Sequence, residues 1–91
     1  MQLSSRFGDA QDLTVGAASA ASAAFQTQTR QIRVVATSAC RIVIGDGAPV
    51  ATATSAYLPA NIVEYIQVTP GQRIAAIQES AGGKLSATEI L

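Results

Sequence analysis

The residues able to do chemistry are few and scattered. Cys40 is the only cysteine in 91 residues, and histidine is absent. Without histidine, neither a Ser-His-Asp triad nor a Cys-His dyad can be assembled. The Cys/His ligand sets that hold structural zinc are missing as well. Cys40 alternates with Ile42 and Ile44 in the run SACRIVIG, the pattern of a small buried apolar residue. A reactive thiol would want a nearby His or a Lys/Arg cluster. The six carboxylates are Asp9, Asp12, Asp46, Glu64, Glu79 and Glu89, each standing singly in the sequence. A glycosidase pair needs two of them brought together in a cleft, and a core this poor in large residues gives little to wall one. Gly45-Asp46-Gly47 suggests a phosphate or calcium loop, but the spaced oxygen ligands and closing Glu of a calcium loop do not follow. It reads as turn chemistry. With two Phe, two Tyr and no Trp, the chain has no aromatic platform for sugars or bases. No catalytic, metal-binding or cofactor-binding residue is assigned, and the chain is expected not to be an enzyme.

Size and charge narrow the class further. The chain is long enough for one domain, burying roughly 60–65% of its unfolded surface. Hydrophobic residues make up 48% of it, but many are Ala, which bury little area. The core is therefore expected to be thin, with partner surfaces adding stability. Six basic and six acidic residues give zero formal net charge, with no Lys/Arg cluster to track a phosphate backbone, so nucleic acid is not an expected partner. Neutrality also removes one guard against self-association. No signal peptide is visible at the start. The Ala/Ser/Gly run before Phe25 is too short and too weakly apolar to span a bilayer, so no membrane role is expected. The protein is expected to be kept in a cytoplasm or assembled there into something larger.

The elements that carry these residues read as β throughout. Residues 1–11 form an extended arm on this reading, polar apart from Leu3 and Phe7, which become the candidate interface residues. Residues 12–91 form the domain. Residues 12–15 give a short strand with Leu13 and Val15 on one face. The run GAASAASAAF from Gly16 is ambiguous between helix and strand. Strand is preferred, because both neighbours read as β. Residues 29–36 alternate, with Ile32, Val34 and Ala36 on one face. Residues 40–44 place Cys40, Ile42 and Ile44 inward, and with the preceding strand suggest a hairpin. Residues 62–68 and 73–78 flank Thr69-Pro70-Gly71-Gln72. Pro-Gly at the two central positions is a type II turn signature, and a central hairpin is expected across it. The second of these strands is apolar on both faces, as in a central strand. Leu85 and Ala87 share one face of the last strand. About eight short strands at this spacing predict an all-β fold, a small antiparallel sandwich that is either immunoglobulin-like or jelly-roll-like.

The segments from Thr29 onward carry a resemblance. The strand pair RVVATSACRIVIG, the segment YLPA, the run EYIQVTPGQRIAAIQ and the final GKLSATE resemble small β proteins encoded among the virion structural genes of tailed bacteriophages and prophages. The match covers about two thirds of the chain and consists of turns and alternating strands. That family brings no catalytic residues. The resemblance implies a virion component assembled in the host cytoplasm, above all a head decoration or cement protein that binds the major capsid protein or other virion proteins and self-associates. A neck, tail or fibre-base component stays open beside it, as does a soluble sandwich that binds a small ligand or glycan.

Overall fold

A computed structural model describes residues 7–90. Eight strands follow one another: β1 (Phe7–Val15), β2 (Ala20–Ala21), β3 (Gln31–Ala36), β4 (Cys40–Gly45), β5 (Ala56–Leu58), β6 (Glu64–Gln67), β7 (Arg73–Gln78) and β8 (Gly83–Ile90). They form two four-stranded antiparallel sheets, ordered β1-β8-β3-β6 and β2-β7-β4-β5. The first strand pairs with the eighth, the second with the seventh, the third with the sixth and the fourth with the fifth. The chain is thus one long hairpin folded at β4–β5 and rolled around a core. That is a jelly roll, which decides between the two sandwich types the sequence leaves open. β1 begins at Phe7, so residues 7–11 of the segment read as an arm belong to the sheet.

Neither expected hairpin forms. β6 and β7 flank the Thr69–Gln72 turn but lie in different sheets, β6 beside β3 and β7 between β2 and β4. β3 and β4 part in the same way. The turn itself is present: Gly71 has φ +86° and the Gln72 N–H donates to the Thr69 carbonyl at 3.1 Å. Type II geometry twists against the right-handed twist of paired strands and splays them, whereas two-residue hairpins use the mirror-image turns. A splayed exit sends β7 across the core to the opposite sheet.

The Ala/Ser-rich run is extended, not helical. Ala20 and Ala21 pair with Ala76 and Ala75. Hydrogen bonds from Gln78 N–H to Gly16 O, Ser22 N–H to Ile74 O and Phe25 N–H to Gln72 O, at 2.8–2.9 Å, hold the rest of it along β7. Small side chains let this backbone lie flat against its neighbour. The run ends at Phe25, a buried aromatic ring in the core. The predicted inward faces hold: Ile32, Val34 and Ala36 of β3, Cys40 and Ile42 of β4, and Leu85 and Ala87 of β8 are all buried. β7 is central in its sheet, with Ile74, Ala75 and Ala76 fully buried.

Gly71 sits where an L side chain is strained. Gly71→Val should lower stability by more than about 1 kcal/mol, read as a shift of the urea midpoint at unchanged slope.

Candidate functional site

Three places in the described structure hold groups that the fold alone does not require. The first is Glu89, buried on β8 and directly opposite Ile32 on β3. Its Oε1 accepts a short hydrogen bond from the Thr29 hydroxyl and one from the Gln26 N–H at 3.3 Å. Thr29, fully buried, is in turn held by its own N–H on the Gln26 carbonyl at 3.1 Å. The carboxylate fastens the turn of residues 26–29 to the end of β8, replacing water as the partner of two donors. Its role is therefore structural. The sequence shows Glu89 only as one of six carboxylates standing singly, and its burial was not foreseen. The only signal is its place in the Leu85, Ala87, Glu89 alternation.

Cys40 is the second. It is fully buried among core residues, as its alternation predicts. Burial disfavours the thiolate and pushes the thiol above its ordinary value of 9.0.

The third is the side of the sandwich where β5 and β6 are the edge strands. β5 pairs with β4 only from Cys40 to Ile42. Before Ala56 the chain leaves the sheet in a turn closed by the Ser55 N–H on the Thr52 carbonyl at 3.0 Å. Beyond Ile42, β4 therefore has no strand on that flank. An open pocket of about 320 Å³ lies there, lined by Ile42, Val43, Ile44, Ser55, Ala56 and, from the facing sheet, Ile66. After β5, Asn61 takes up φ +61° and donates its N–H to the Ala36 carbonyl at 2.7 Å. Asn tolerates this left-handed conformation, and the bend precedes Ile62 and Val63, which are left exposed. The large apolar side chains that stand exposed among the described residues are Val50, Tyr57, Ile62, Val63 and Tyr65. All fall in the stretch leading into and out of β5 and β6.

Arg41 organises the outer rim. Its Nε donates to Glu79 Oε1 at 2.9 Å, Nη1 to the Ser55 carbonyl at 3.3 Å, and the guanidinium lies 4.9 Å from the centre of the Tyr57 ring. The hydrogen bond to Glu79 holds its pKa above the ordinary arginine range. One cation thus fixes both the turn that opens the pocket and the ring beside it.

Leu3 and Phe7 are the residues proposed from sequence as the interface. Leu3 is outside the described residues. Phe7 pairs through its backbone with Ile90 on β8, at the sheet edge opposite β6, and its side chain is outside what is described. The sequence does carry a sign of the apolar edge: between Asp46 and Arg73 the one charged residue is Glu64. Among the described residues no group of three or more His, Cys, Asp or Glu side chains could hold a metal ion. No family model, curated protein or solved structure matches the chain.

Glu89→Gln keeps an acceptor for Thr29 and Gln26, whereas Glu89→Leu strands both donors. The Leu variant should be less stable than the Gln variant by about 1–3 kcal/mol, measured by urea denaturation. For Cys40, a raised folded pKa favours the protonated fold; its contribution is complete below the ordinary value and lost as pH rises from there through the raised folded value. Ellman's reagent should therefore label Cys40 only on unfolding. Stability of the wild type should also fall more steeply than that of Cys40→Ala above about pH 9.

Proposed function

We propose that this chain is a non-enzymatic structural protein of a tailed-bacteriophage virion, a decoration or cement protein bound to the head shell. The observation that carries the reading is the β5–β6 flank, where Tyr57, Ile62, Val63 and Tyr65 are exposed in or just before the edge strands, beside an apolar pocket. Such a surface suits the burial of area against another protein. Its polar groups are Ser55, whose Oγ accepts from the Thr52 N–H at 2.9 Å, and the outer-rim Arg41, which holds the Ser55 carbonyl. The virion assignment is supported by the resemblance of the strand and turn motifs from Thr29 onward. With zero net charge, attachment on this reading comes from shape and apolar contact more than from steering. Leu3 and Phe7 remain candidates for a contact with the shell.

The test is the composition of purified particles from a phage or induced prophage that carries the sequence. Quantitative mass spectrometry should find many copies per head, and heads lacking the protein should rupture at lower temperature. Leu3→Asp should lower occupancy with no change in the melting temperature of the free protein. A count of about a dozen per particle, the number expected of a ring at a single vertex, would move the protein to the neck or tail. Its absence from particles would overturn the virion reading.

A further inference from the structure

We infer that the β5–β6 edge is a self-complementary interface, on which β6 of one copy pairs antiparallel with β6 of a second copy about a two-fold axis. The argument begins with the edges of the sheets. An open edge strand is a template for another strand, and soluble proteins guard such strands with bulges, brevity, proline or lysine. β1, the other edge of the β6 sheet, carries a register shift between Phe7 and Ala10. β2 is two residues long and β5 three. β6, Glu64–Gln67, has four residues in unbroken register with β3 and contains neither proline nor lysine. It is the least guarded of the four edges, Glu64 being its one charge, and it is preceded by exposed Ile62 and Val63.

A second copy fits this edge better than an unrelated strand for three reasons. The first is geometric. Residues directly opposite in an antiparallel pair share a face, so two-fold pairing must centre on a residue. Centred on Ile66, it sets the two Ile66 side chains against each other at the axis and closes both pockets, since Ile66 lines each of them. Tyr65 then faces the partner's Gln67, and Glu64 faces the partner's Val68. The second reason is charge. Glu64 is the one charge between Asp46 and Arg73. In this register the two Glu64 carboxylates are separated by four residues along the strands, roughly 13 Å, beyond the Debye length at physiological salt. Pairing centred on Tyr65 would halve that separation, so Glu64 selects the register. The third is area. A stable pair needs roughly 800 Å² from each partner, about a sixth of the 4948 Å² surface. The long side of a slab with extents of 40 × 27 × 18 Å is of that order. The inference does not depend on the virion reading, and its test uses the isolated full chain.

Sedimentation equilibrium should give twice the 9.3 kDa chain mass, dissociating on dilution. Amide hydrogen exchange, followed across the same dilution series, should show backbone protection over residues 62–68 rising roughly tenfold or more with concentration. Protection on β1 should stay unchanged. The double variant Val63→Lys/Tyr65→Lys should be monomeric with an unaltered β-sheet circular dichroism spectrum, while Thr14→Lys on the β1 edge should remain dimeric. If the double variant fails to fold, exchange on the wild type alone decides. A wild type that stays monomeric at all concentrations overturns the inference. So does a trimer, concentration-independent exchange at 62–68, or a dimer broken by Thr14→Lys but not by the double variant.

Discussion

Everything in this molecule depends on the rolling of one long antiparallel hairpin. Because strand partners converge on the β4–β5 bend, neighbours in sequence are sent to opposite sheets, and each layer is stitched from distant segments. The roll also decides which strands are left at the rims. β1 and β2 fall on one side and β5 and β6 on the other. The middle of the chain thereby becomes a continuous flank of the sandwich. That is why exposed Tyr57, Ile62, Val63 and Tyr65, close in sequence, all fall in or just before the two edge strands of one flank. A sandwich built from local hairpins would have scattered them.

Much of this was legible in the residues. Period-two alternation located β3, β4 and β8 and oriented their faces, because a half-buried pleat leaves that imprint whatever strand lies beside it. The double-sided apolar character of β7 marked it as interior. Pairing was not legible in the same way. The Pro70-Gly71 turn was recognised, but its type argued against a hairpin and for an arch between layers. The Ala/Ser run of residues 16–25 carries almost no hydrophobic contrast, so its extended path is imposed by β7 and the hydrogen bonds that β7 offers it. Glu89 escaped because a lone carboxylate in sequence gives no hint of Thr29 and Gln26, sixty or more residues away. Its burial is a tertiary fact.

The candidate surface shows the same division. The absence of charge between Asp46 and Arg73, Glu64 apart, was present in the sequence, and charge depletion is what distinguishes the centre of an interface from ordinary surface. The pocket was not visible there. It arises because β5 stops pairing at Ala56 while β4 continues to Gly45. Arg41, which reads as an outward residue on an alternating strand, proves to be the clamp that joins the Ser55 turn, Tyr57 and Glu79.

The pairing of β1 with β8 also sets the order of events during synthesis. β8 lies between β1 and β3, so the eighth strand in sequence must enter the middle of a sheet whose other members emerged before it. Until residues 83–90 are available, β1 has no strand partner in its sheet and β3 has only β6. The sheet cannot be completed stepwise on the ribosome, and nearly every stabilising contact waits on distant partners, the topology associated with slow folding. A chain cut short within β8 would lose the central strand of a layer, and would leave two unsatisfied strand edges facing each other across the gap. The fold therefore carries a built-in check on completeness: an unfinished copy displays aggregation-prone edges that a finished one has hidden.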